Sequence, residues 1–157
     1  MSVKQLDELL NAAIDQEISA QRFYRDALEF TDNRRVKDFL LRLAAEEKEH
    51  ERILRSVLEM EIYDGTIPVE EDMVAETRES HATDNSDIRS GASLSEIFEI
   101  ALRRENTAYK NYQKMAGSSR NQELKTLFSN LAGDEQKHYQ HIENEFHILS
   151  GDLGYEG

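Results

Sequence analysis

The sequence predicts an all-α protein, an antiparallel four-helix bundle made of two duplicated helix pairs joined by one long crossover. Three observations carry that expectation. Sliding the 157-residue chain against itself by 88 positions, without gaps, aligns residues 6–50 with 94–138 and leaves twelve identities in 45 pairs, where chance gives roughly three. Apolar residues recur at three- and four-residue spacing through each long segment, which is the period of one helix face. The chain also holds only one proline and seven glycines, few breakers for its length.

The first pair spans residues 4–60. Its first stripe is Leu6, Leu9, Leu10, Ala13, Ile14, Glu17, Ala20, Tyr24 and Leu28, and its second is Val36, Leu40, Leu43, Glu47, His50, Leu54 and Val57. The polar turn "TDN" at 31–33 separates them, and so short a link makes the helices antiparallel neighbours. Residues 62–92, with Gly65, Pro68 and the run "HATDNSDIRSG", form the long connection. The second pair, 93–149, repeats the pattern with Leu94, Phe98, Ala101, Glu105, Ala108, Tyr112 and Met115, then Leu124, Phe128, Leu131, Glu135, His138, Ile142 and Phe146, divided by "GSS" at 117–119. Two such pairs and one crossover close a bundle.

Each stripe carries polar residues at its midpoint. In "LAAEEKEHERIL", residues 43–54, Glu47 and His50 share the face of Leu43 and Leu54 and so point inward. A buried unpaired carboxylate is so costly that a partner must wait inside. Glu17 lies fifteen residues before a turn centred near residue 32 and Glu47 fifteen after it. At ~1.5 Å rise per residue both sit about 22 Å from the turn, at one level. The second half repeats the arithmetic with Glu105 and Glu135, and His50 and His138 each lie three residues beyond their glutamates. Four carboxylates and two imidazoles thus converge in mid-bundle, and two divalent cations would balance their charge. One Glu-x-x-His is near chance among so many glutamates, but two copies, each preceded by a glutamate at 30 residues, are not. Oxygen and nitrogen donors of this kind suit iron or manganese, and zinc can substitute.

Composition removes other classes. With no cysteine there is no disulfide, thiolate metal site or thiol nucleophile. A net charge of -13 disfavours nucleic acid and anionic membrane partners. No run approaches 18 apolar residues, and "MSVKQLDELLNAAID" is amphipathic and acidic, so a soluble cytoplasmic protein is expected.

On Glu17 in "AAIDQEISAQRFY", Glu47 and His50 in "LAAEEKEH", Glu105 in "ALRRENTAYKNY", and Glu135 and His138 in "LAGDEQKH", the chain resembles the rubrerythrin branch of the ferritin-like superfamily over residues 5–149. The resemblance implies two iron ions bridged by Glu47 and Glu135, with Glu17 and Glu105 as terminal carboxylates and one histidine on each iron. Rubrerythrins proper usually add a rubredoxin-like domain with four cysteines. With none here, the electron donor is expected to be a separate protein. They also carry an extra glutamate where this chain has Ala108, which leaves a symmetric six-ligand site.

Around the site, Tyr24 and Tyr112, two turns beyond Glu17 and Glu105, are placed to hydrogen-bond a ligand carboxylate. Glu46 and Asp134 precede the motif glutamates, where similar proteins use an acid to hold the histidine Nδ1 proton. His81, His141 and His147 read as surface residues, and Met60, Met73 and Met115 as packing. The leading expectation is a redox enzyme acting on dioxygen or hydrogen peroxide in response to oxidative stress. An iron-binding ferroxidase for storage or detoxification is the alternative. After helix four, "SGDLGYEG" is too short and glycine-rich for the fifth helix of a ferritin shell, so a homodimer is expected. A hydroxylase would need an apolar substrate route, and a helical adaptor would leave the buried glutamates unexplained.

Overall fold

The computed structural model describes residues 4–60, 68–69, 71–84 and 88–156. Five α-helices make up nearly all of it: α1 Leu6–Ala27, α2 Arg34–Glu59, α3 Glu71–Asp84, α4 Leu94–Ser118 and α5 Gln122–Glu156. A 3₁₀ turn at Leu28–Phe30 closes α1, and a two-residue antiparallel ladder pairs Lys4–Gln5 (β1) with Pro68–Val69 (β2).

The helix starts are set by short polar side chains that accept otherwise unpaired backbone donors. Asn33 accepts from the Val36 N–H, and Asn121, its counterpart 88 residues on, accepts from the Leu124 N–H. Ser93 accepts from the Glu96 N–H at the start of α4. The duplication thus extends from the core to the caps.

Side chains fix the helix directions. Ser19 meets Arg104 and Gln16 meets Asn111, so α1 and α4 run antiparallel. Arg35 meets Glu145, Glu46 meets His138 and His50 meets Asp134, so α2 and α5 do too.

The apolar core divides in two. One cluster holds Leu6, Leu10 and Ile14 of α1, Leu54 of α2, Tyr112 and Met115 of α4, and Leu124, Phe128 and Leu131 of α5. The other holds Ala20, Phe23 and Tyr24 of α1, Val36, Leu40 and Leu43 of α2, Ile97, Phe98 and Ala101 of α4, and Ile142 of α5. On every one of the four long helices the predicted Glu or Glu-x-x-His positions fall between these clusters. Phe98 stacks on Phe146 at 5.5 Å between centroids, closing the second cluster.

Three features depart from the sequence expectation. The crossover contains helix α3, which packs on α1 and α4 through Met73, Val74 and Thr77. Residues 71–84 contain no glycine or proline, but so few apolar positions that no stripe announced the helix. At the C-terminus α5 continues through "SGDLGYE" to Glu156 rather than ending near 149. Glycines in a helix cost only about 1 kcal/mol each, and Leu149 packs on the second cluster just before them. Met60, read as packing, is the residue just after α2 and has 48% of its surface exposed, while Met73 and Met115 are buried.

Candidate metal centre

Glu17 and Glu105 are buried on α1 and α4, Glu47 with His50 on α2, and Glu135 with His138 on α5. The fold brings all six together. Their donor atoms form two groups, Glu17, Glu47, His50 and Glu135, and Glu47, Glu105, Glu135 and His138, each with one ligand atom per residue and all those atoms within 4.8 Å of one another. Glu47 and Glu135 belong to both.

The imidazoles face inward through Nδ1. In His50 this atom lies 3.5 Å from Glu17, 3.5 Å from Glu47 and 3.3 Å from Glu135. In His138 it lies 3.0 Å from Glu47, 3.6 Å from Glu105 and 3.2 Å from Glu135. The rings stack with centroids 5.7 Å apart. Despite these short approaches, both Nδ1 atoms and oxygens of Glu17, Glu47, Glu105 and Glu135 are buried with no hydrogen-bonded partner. Buried polar atoms are rarely left so. Orphaned donor atoms converging on two centres fit a pair of divalent cations.

The electrostatics agree. Burial, then the charge of Glu135, raises Glu17 and Glu47, and the same causes push Glu105 up to about 7. Burial opposes ionisation of Glu135 too, but His138 and His50 bring it down to about 2. Burial likewise works against a charged His50, yet Glu135 and Glu17 raise it to about 12, and His138 is raised in the same manner. Without cations the cluster takes up protons in their place.

Supporting contacts cross between the two halves. Tyr24 of α1 donates to Glu105 of α4, and Tyr112 of α4 donates to Glu17 of α1 at 2.5 Å. Burial, then the neighbouring carboxylate, raises both phenols well above their ordinary value, so they remain donors. Glu46 and Asp134 also reach across the bundle, but not to the atom expected. Glu46 contacts Nε2 of His138 at 2.6 Å, and Asp134 contacts Nε2 of His50 at 3.2 Å. The Nδ1 assignment is therefore corrected: Nδ1 is turned into the site, and the acids, half exposed on the outer face, hold the other nitrogen.

Several buried polar residues escaped the sequence reading. Gln21 donates to Glu51 at 2.9 Å, and with Arg55 and Lys48 it draws that carboxyl down to about 2. Arg104 donates to Ser19 and lies over the Phe23 ring, and Asn111 donates to Gln16 at 2.7 Å. The available signal was position, since Gln16 and Arg104 each precede a stripe glutamate and are 88 residues apart. His141 and His147 are exposed, and the side chain of His81 lies outside the described residues.

A helical bundle whose middle layer presents two overlapping carboxylate–histidine groups defines a protein of the di-metal carboxylate class. A family profile for Rubrerythrin, a ferritin-like di-iron family, matches residues 8–145. The chain belongs to the rubrerythrin family. Among solved structures it is similar to "Hypothetical Protein Pfu-1136390-001" from Pyrococcus furiosus, with 25% identity over 93% of this chain and 90% of that chain and a TM-score of 0.65. No curated protein sequence matches significantly. Among the described residues no helix is long and apolar enough to cross a membrane.

Proposed function

We propose that this chain is a four-helix, ferritin-like di-iron redox protein that reduces hydrogen peroxide or dioxygen with electrons from a separate donor protein. The observation that carries it is the sharing of Glu47 and Glu135 between two four-residue groups, the pattern of two metals joined by two carboxylates. Glu17 and His50 would complete one metal's ligands, and Glu105 and His138 the other's. Iron is the metal implied by the family, with manganese or zinc able to occupy the same donors. When bound, the pair supplies two electrons at one place, so a peroxide molecule takes two electrons and two protons and leaves as two waters.

The chain's own residues prepare that chemistry. Tyr24 and Tyr112 hold the terminal carboxylates by donating to them. Glu46 and Asp134 orient the imidazoles through Nε2, which raises ligand basicity. The two apolar clusters above and below exclude bulk water. Half-exposed Glu46 and Asp134 and exposed Lys137 border a cleft of about 230 Å³ that reaches both histidines, and it is the short route for an external electron donor. A homodimer completes the proposal, and sedimentation finding a hollow many-subunit shell would move iron storage ahead of it.

Stopped-flow absorbance of anaerobic diferrous protein mixed with each oxidant tests the reading. Oxidation of both ferrous ions, followed by re-reduction and turnover, supports it. An iron spectrum unchanged by either oxidant refutes it.

A further inference from the structure

On the side away from the histidines, α1 and α4 leave a cavity of about 20 Å³, room for one or two water-sized molecules. Its floor is carboxylate, from Glu47, Glu105 and Glu135. Ala108 lines it, and Ala20, its duplicate, stands opposite on α1. The small side chains keep the space open.

The remaining wall breaks the duplication. Positions 16 and 104 are equivalent by the 88-residue offset, yet one is Gln and the other Arg, and both line the cavity. Gln16 is 93% buried, being 7% exposed. Its Oε1 is engaged by Asn111 at 2.7 Å, which fixes the amide and leaves Nε2 as a buried donor with no hydrogen-bonded partner. Such a donor costs stability unless something accepts from it. Arg104 adds a positive charge, held in place by its 2.6 Å bond to Ser19 and by the Phe23 ring. A fixed amide donor and a fixed cation therefore share one small chamber beside the metal ligands.

We infer that Gln16 and Arg104 are specificity-determining residues that admit to this chamber a small ligand accepting hydrogen bonds, neutral or anionic, in preference to an apolar diatomic molecule. Both positions lie outside the six-residue ligand set. A ligand of two or three atoms matches the size of this space. The inference rests on the di-iron reading, and its test separates the two.

The experiment uses the iron-loaded, oxidised protein and azide as the probe, with the dissociation constant read from the ligand-to-metal absorbance and iron content measured for every variant. Gln16→Glu keeps the size and the acceptor for Asn111 but replaces the donor with an oxygen, and it should raise the azide dissociation constant at least tenfold. Gln16→Leu should raise it about tenfold, the worth of a buried hydrogen bond to a charged ligand. Arg104→Gln, which restores the symmetry of the halves, should raise it by a similar factor, whereas Arg104→Lys stays within about threefold of wild type because the charge is kept. Affinities unchanged within twofold in Gln16→Glu and Arg104→Gln, at two irons per chain, overturn this inference alone. A wild-type chain that takes up no metal overturns the di-iron reading and the inference with it.

Discussion

Replacing Glu105 by Gln should stabilise the protein without metal and destabilise it with metal. Glu105 is 2% exposed, and burial with the nearby Glu135 charge moves its carboxyl from 4.5 to about 7. Between those values the unfolded chain has released a proton that the folded chain still holds. Stability is therefore undiminished below about pH 4.5 and falls as pH rises toward 7, after which the buried charge carries a constant cost. The displacement corresponds to about 3 kcal/mol at pH 8 and less than about 1 kcal/mol at pH 5. Glu17 and Glu47 are raised as well, and His50, raised to about 12, also loses stabilisation as pH rises from its ordinary value. All of these slopes share one sign. The Gln side chain still offers Tyr24 an acceptor, so the gain is not offset by a stranded phenol. At roughly 2–4 °C per kcal/mol for a chain of this size, metal-free Glu105→Gln should melt about 6–12 °C above metal-free wild type at pH 8. With metal added, the variant lacks one of the proposed ligands and should melt below wild type. Calorimetry of chelator-treated and metal-loaded samples at pH 5 and 8 measures both signs. A metal-free wild type that gains stability between pH 5 and 8, or a variant less stable than wild type in both states, would refute the reasoning.

Asp134→Asn and Glu46→Gln should each weaken metal binding by about 10- to 100-fold, measured by competition with a chromophoric chelator, since each acid holds Nε2 of a histidine on the opposite helix; unchanged affinity would leave these acids as surface charge. Metal affinity should rise from pH 6 to pH 8, because His50 and Glu105 must give up protons to the metal, and proton release on titration reports it directly. Phe98→Ala should cost about 3–5 kcal/mol in urea denaturation, because Phe98 is 1% exposed and stacked on Phe146; a loss under about 1 kcal/mol would mean the second cluster collapses to fill the space.

The six central residues were legible because two independent patterns overlap on them. Glu17, Glu47, His50 and their partners sit where an apolar stripe should continue, and each recurs 88 residues later. The tyrosines were legible for the same reason, although their crossing from one half to the other was not, because a stripe names a face and not the facing residue. The histidine nitrogen turned into the site was also hidden, since spacing gives a residue's position but not its ring rotation. Gln16 and Arg104 escaped because they differ from each other, so a search for identities passes over them. Helix α3 depends on tertiary contact through Met73, Val74 and Thr77, and the polar residues around them read as loop.

The most direct test of the account is metal content per chain in wild type and in Glu47→Ala, Glu135→Ala and the double variant, by elemental analysis after loading with ferrous iron under anaerobic conditions. Because Glu47 and Glu135 are shared by both four-residue groups, the account predicts two metal ions in wild type, loss of most of that capacity in each single variant, and none retained tightly in the double variant. Two ions still held by the double variant would contradict the bridged site.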